Sequence, residues 1–289
     1  MAFHTHPHCR GIRTMIMSLS IPLRVAIGAN TLLCALLFNA SAVADDYLPG
    51  DTFAHDLPDG GKGPEMVVVR EGEFVMGGGR PGDNPEALVV EIAHPFAISK
   101  TEITNAMYRR FLKATQSGDL DSLQGAADDL PVSGITWDEA EAFVSWLSHQ
   151  TGYNYRLPSS TQWEYAARAG STRSYTWGDS AGESNANCLG CGVDYEGTLA
   201  PVASFKPNAW GLYDVHGNVW EWTKDCVDAN SKPPLNGMPQ LFGNCDNREL
   251  RGGSAQSDAW SIRLNARASA RRQLRSLDVG MRVVMMFPR

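Results

Sequence analysis

The chain has 289 residues, with 25 Lys and Arg against 32 Asp and Glu, a formal charge of −7, and 43% hydrophobic residues. An acidic balance with no basic cluster argues against nucleic acid as a partner and is compatible with bound divalent cations. The length leaves room for one large domain with a sizeable core.

Arg10, Arg13 and Arg24 precede an apolar run from Val25 to Ala40, and Ala42-Val43-Ala44 gives a small-x-small cleavage signal before Asp45-Asp46. This predicts a secretory signal peptide over residues 1–44. The run is short and carries Asn30, so it would span a bilayer poorly. The mature chain is expected to be periplasmic or secreted, monomeric, free of a membrane span, and charged near −10, because the leader holds three arginines and no acid.

Residues 45–63, rich in Asp, Gly and Pro, read as an exposed N-terminal arm, leaving 64–289 as one domain. Met66–Val69 and Glu73–Met76 are β-branched or aromatic runs around a Glu-Gly turn, which predicts a hairpin. Residues 89–92 and 96–98 continue as strand. Three helices follow. Thr104 caps the first, with Met107, Tyr108, Phe111 and Leu112 on one face. Thr136 and Glu139 form a capping box for the second, where Ala140, Phe143, Val144 and Leu147 share a face and Gly152 stops the helix. Ser159 and Gln162 form another box for the third, which ends at Gly170; Glu164 and Arg168 read there as a solvated i,i+4 pair. From 171 to 250 periodicity fades into turns with isolated aromatics, a length that needs disulfides or metal to hold it. Residues 248–254 and 279–284 read as closing strands joined by an Arg-rich segment.

Behind the leader stand four cysteines, Cys188, Cys191, Cys226 and Cys245, an even count that suggests disulfides in an exported chain. Of three connectivities, local pairing of 188 with 191 and 226 with 245 is preferred. A redox-active Cys-x-x-Cys at 188–191 is the alternative, although no strand-to-helix pattern surrounds it.

The stretch Gly211–Trp222 (GLYDVHGNVWEW) mixes carboxylates, indoles, a glycine and an asparagine on no single periodic face, and reads as an irregular loop. Asp214, Glu221 and the carbonyls of Gly217 and Val219 offer hard oxygen donors of the kind Ca²⁺ prefers. The alternative is an aromatic core segment with a satisfied Glu.

Several segments then read together: Pro131–Trp137 (PVSGITW), Arg156–Ser159 (RLPS), Trp163–Arg168 (WEYAAR), Asn208–Asp214 (NAWGLYD), Gly217–Trp222 (GNVWEW) and Arg251–Ser254 (RGGS). In order and number they resemble the formylglycine-generating enzyme (sulfatase-modifying factor) family. The resemblance implies an α+β, irregular C-type-lectin-like fold, low in regular secondary structure and holding structural Ca²⁺. One ion would use Asp214, Glu221 and the carbonyls of Gly217 and Val219; a second would use Asn187, Asp194 and the carbonyls of Cys188 and Glu196. Trp220, Ser254 and Ser257 would line the substrate cleft as the catalytic candidates. Arg263, Arg267 and Asp278 would bind substrate nearby.

The family's copper enzymes carry two cysteines at positions that match Ser257 and Ile262 here. Neither side chain is a soft thiolate, so copper is not expected. The architecture is closer to the family's exported pyoverdine-maturation oxidoreductase. The resemblance thus implies oxidative tailoring of a secreted peptide, protein or peptide-derived metabolite. A non-catalytic binding module on the same fold is the alternative, and true formylglycine generation is disfavoured. A base for Ser254 or Ser257 is not evident; His216 is the one histidine near them in sequence.

Overall fold

The computed structural model describes residues 47–78, 88–228 and 232–288, and these fall within one unit, Ala40–Arg289. The expected signal peptide lies outside the described residues. In chain order the strands are β1 (Thr52–Phe53), β2 (Met66–Val69), β3 (Gly72–Met76), β4 (Leu88–Ile92), β5 (Phe96–Ser99), β6 (Asn154–Arg156), β7 (Trp220–Val227), β8 (Asn244–Arg251), β9 (Arg267–Arg271), β10 (Val279–Gly280) and β11 (Val284–Met286). The helices are α1 (Asn105–Thr115), α2 (Trp137–Thr151) and α3 (Ser160–Arg168), with a 3₁₀ turn at Asp121–Leu123.

One antiparallel sheet runs β1-β2-β5-β11-β6, so the C-terminal strand sits between β5 and β6. A second runs β10-β7-β8-β9, with only the β10–β7 pair parallel. The hairpin expected between residues 66–69 and 73–76 does not form. All four residues of β2 are buried, so it needs partners on both edges and takes β1 and β5. β3 pairs instead with β4 in a separate two-stranded ribbon. Within the segment read as an arm, Thr52–Phe53 pair with β2 and Leu57 is buried.

All three N-caps form where the sequence placed them. Thr104 accepts from the Met107 N–H, and both capping boxes close, Thr136 with Glu139 and Ser159 with Gln162. α2 buries Trp137, Ala140, Phe143, Val144 and Leu147, the expected face plus the tryptophan that opens the helix. α3 departs from expectation, because all nine of its residues are buried. Glu164 and Arg168 are therefore not a solvated pair. Glu164 bonds Arg168 at 2.7 Å and Arg251 at 2.5 Å, all three nearly inaccessible, and its Oε1 also accepts from the Gly77 N–H at 2.8 Å.

The span from 171 to 250 is less irregular than its sequence suggests. β7 begins inside the stretch read as a loop, β8 covers eight residues, and the Arg-rich segment contains β9. Both local disulfides are present, Cys188–Cys191 and Cys226–Cys245, with Cα separations of 5.3 and 4.4 Å.

Asp225 on β7 caps α3 from outside, accepting from Ser160 N at 2.9 Å and from Gln240 N at 3.0 Å. Burial, reinforced by the Glu249 charge, pushes its carboxyl up to about 7. A carboxyl raised in the folded state gives stability that is complete below the unfolded value near 4 and is lost as pH rises through about 7. This group should cost the native state at most ~4 kcal/mol over that window. Urea melts at pH 4.5 and 7.5 should therefore show Asp225→Asn losing less stability, or gaining more, than the parent. An identical pH profile for the two proteins refutes the assignment. Separately, Thr136→Ala removes the α2 cap and should destabilise by about 1 kcal/mol in the same melts.

Candidate functional site

The turn that follows Tyr213 is built from left-handed backbone, with φ of 55° at Asp214, 81° at Gly217 and 64° at Asn218. Gly217 is required sterically: a Cβ there would lie 2.0 Å from the Asn187 carbonyl oxygen. Its N–H donates to Gly252 O at 2.9 Å. Asn218 is the hub of the turn. Its N–H donates to Asn187 O at 3.0 Å, its Nδ2 donates to Glu102 Oε2 at 2.8 Å, and its Oδ1 accepts from Ala200 N and Asn187 Nδ2. Glu102 Oε1 in turn accepts from Val219 N at 3.2 Å.

One step further, Glu221 is fully buried and its Oε2 accepts from Trp163 Nε1 and Arg282 Nε, both at 2.6 Å. Arg282 also donates to the carbonyls of Ser99, Tyr213 and Asp214. Three buried carboxylates, Glu102, Asp214 and Glu221, thus interact with one buried guanidinium. Burial, with the charges of Asp214 and Glu221, holds Glu102 well above the usual carboxylate range, and burial pushes Asp214 up to about 6.

Two buried oxygens here have no hydrogen-bond partner, Glu221 Oε1 and Asn187 Oδ1. Each belongs to one of the two expected Ca²⁺ ligand sets, and each is an acceptor left in a region of surplus negative charge, which fits a hard cation. Asp194 and Glu196 are exposed, and Glu196 Oε1 accepts from Gly190 N at 2.6 Å. Among the described residues no group of three or more His, Cys, Asp or Glu is arranged to hold a metal, so any site must draw on carbonyls and amides.

The cleft lies beyond β8. Gly252 and Gly253, with φ of 96° and 78°, turn the chain, and a Cβ on Gly253 would meet Ile262 Cγ2 at 2.6 Å. The turn delivers Ser254, whose Oγ donates to Asp278 Oδ2 at 3.1 Å and lies 3.2 Å from Ser257 Oγ. Ser257 Oγ also accepts from Ser254 N at 3.0 Å, so its own proton is free for Ser254 Oγ. Ser276 Oγ donates to Asp278 Oδ1, and the Asp278 carbonyl accepts from Trp220 N at 2.8 Å. Ser254, Ser257 and Asp278 therefore form one hydrogen-bonded run, and Asp278 together with Ala255 and Gln256 lines a cleft of about 260 Å³.

The remaining expected site residues lie apart from this chain of hydroxyls. Arg263 lies over the Trp260 ring at 3.2 Å, and Arg267 grips Glu249 through two bonds of 2.5 and 2.6 Å. His216 is not the base for either serine. Its Nε2 accepts from Thr176 N at 3.2 Å, which puts the proton on Nδ1, 2.7 Å from Ile262 O, and burial lowers it to about 4. Ile262 is fully buried against the Cys188–Cys191 disulfide, and Leu189 N between those cysteines donates to Ser257 O at 2.9 Å. Sequence reading missed Glu102, Arg282 and Ser276; as single residues in ordinary contexts they carry no local signal.

A family model for the sulfatase-modifying factor enzyme 1-like domain matches residues 54–287. Among curated proteins, the formylglycine-generating enzyme of Streptomyces coelicolor is 29% identical, over 65% of this chain and 78% of that enzyme. Among solved structures, PvdO from Pseudomonas aeruginosa superimposes with a TM-score of 0.69 at 30% identity, covering 83% of this chain and 99% of PvdO. Treponema denticola variable protein 1 shares the fold at 19% identity, with a TM-score of 0.64, covering 82% of this chain and 99% of its own.

Arg282→Met leaves the three buried carboxylates without their cation and should cost about 3–5 kcal/mol at pH 7.5 in chemical denaturation. The loss should shrink at pH 5, below the raised Asp214 value of about 6, because a protonated carboxyl needs no counter-charge. A loss under ~1 kcal/mol at both pH values would show that Arg282 does not neutralise the cluster.

Proposed function

The chain belongs to the sulfatase-modifying factor family, and from that premise we propose that it is an exported enzyme that oxidatively tailors a peptide or peptide-derived metabolite in the periplasm. The observation that carries this reading is the run Asp278–Ser254–Ser257, a carboxylate in the cleft wall with two hydroxyls in hydrogen-bond sequence behind it. Such a run can take a proton from a substrate donor and hold it on Asp278. Ser276 orients the carboxylate through its other oxygen, and the Trp220 N–H fixes the backbone behind it.

Ser257 and Ile262 stand where the copper enzymes have thiolates, and all four described cysteines are in disulfides, so the reading uses no copper. The substrate gives up two electrons and two protons, and dioxygen accepts them as hydrogen peroxide. Calcium belongs to the proposal as a structural ion. Asp214, Glu221 and the carbonyls of Gly217 and Val219 would hold one, and Asn187, Asp194 and the carbonyls of Cys188 and Glu196 a second. The partnerless Glu221 Oε1 and Asn187 Oδ1 support it. When bound, the ion supplies positive charge to the carboxylate cluster; it takes no part in the proton transfer.

Aerobic incubation with periplasmic peptide extracts should yield products lighter by two hydrogens, with peroxide released. Asp278→Asn and Ser254→Ala should each slow this by about 100-fold or more while the fold is retained. Retained affinity for the same peptides with no mass change in any of them would instead support a binding module. Excess EGTA should lower the melting temperature and added Ca²⁺ should restore it, by about 2.7 kcal/mol at a hundredfold excess over Kd. An unchanged melt with chelator removes calcium from the proposal.

A further inference from the structure

The cleft beside Asp278 is small and chemically one-sided. Its volume of about 260 Å³ falls just below the usual range for a whole small-molecule ligand and is ample for one side chain. Leu199 and Leu277 give it apolar walls, Ser122, Ser133 and Thr198 line it with short polar side chains, and Asp278 is the one charged residue lining it. Leu277 stands at the mouth with 66% of its surface exposed.

Among the described residues, no Lys, Arg or His lines this space. Arg275 bonds Glu139 and the Gly134 carbonyl, Arg272 bonds Asp138, Arg267 bonds Glu249, and Arg263 lies on Trp260. The Asp278 oxygens already receive Ser254 and Ser276, but each carboxylate oxygen has a second lone pair. An anionic group entering here would meet the like charge of Asp278 with only neutral donors, such as the Gln256 amide, to offset it, whereas a hydroxyl or ammonium would complete the carboxylate's coordination.

We infer that this cleft is a specificity pocket for a single substrate side chain that ends in a hydrogen-bond donor, a hydroxyl or an ammonium on a slim apolar body, and that it rejects acidic side chains. The inference rests on the proposed function only in placing the substrate at this cleft. Leu277 and Asp278 set the preference, one by covering the apolar body and the other by receiving the donor.

The test uses four blocked tripeptides, acetyl-Gly-X-Gly-amide with X as Lys, Tyr, Phe or Glu, titrated into the full mature chain and followed by NMR shifts of the Leu277 methyls and the Thr198 amide. The Lys or the Tyr peptide, or both, should shift these signals and bind about tenfold or more tighter than the Glu peptide. Phe should bind more weakly than the better of the two donors. Lys alone identifies ammonium as the donor, and Tyr alone identifies the phenol. Leu277→Lys, a change at an exposed position, should raise the Glu peptide's affinity about tenfold, and Asp278→Asn should erase the discrimination between Lys and Glu. Equal binding of Glu, or of Phe beside Lys and Tyr, overturns the inference, as does the absence of shifts at Leu277 and Thr198 with every peptide. Selective binding without oxidation of any substrate would sink the enzymatic reading and leave the pocket; oxidation directed at an acidic side chain would do the reverse.

Discussion

Arg282 and Glu221 form the contact on which the rest of the molecule depends. Two fully buried side chains 61 residues apart meet at 2.6 Å in a region that also holds Glu102 and Asp214. Desolvating such groups is expensive, and the expense is offset only when every donor and acceptor is matched. Arg282 is matched through carbonyls of Ser99, Tyr213 and Asp214, which ties the strand pair β5–β11 to the loop ahead of β7. Glu221 is matched on one oxygen alone, and its Oε1 has no hydrogen-bond partner.

A second buried ionic knot is built on α3 itself. Glu164 takes Arg168 from its own helix and Arg251 from the end of β8, and Arg251 adds the Ala266 and Leu264 carbonyls. Because Arg251 is the last residue of β8, this fixes where the strand stops and where the two glycines begin their turn. The position of Ser254, and so of the hydroxyl chain to Asp278, follows from that anchor. The cleft is therefore held by charge pairs outside it and needs no long element running through it.

Around Ser254 the packing separates an apolar side from a protic one. Ile262 fills its position with packed hydrocarbon against the Cys188–Cys191 disulfide, and Ser257 turns its hydroxyl toward Ser254. What remains is polar and protic.

Local features were legible in the sequence because they depend on near neighbours. Three N-caps, two disulfides and the buried face of α2 follow from spacing, and the fold from the family resemblance that the motifs carry. Tertiary structure alone decided the rest. β2 looked like half of a hairpin, yet it sits inside a sheet because both of its faces are covered. Glu164 and Arg168 have the spacing of a surface pair, and only the enclosure of α3 on all sides makes them a core pair. Glu102 bonds Asn218 across 116 positions, and Asp278 receives Ser254 across 24. A chain's periodicity records which residues avoid water, but not which distant partner satisfies a buried polar group, because that choice is made by packing.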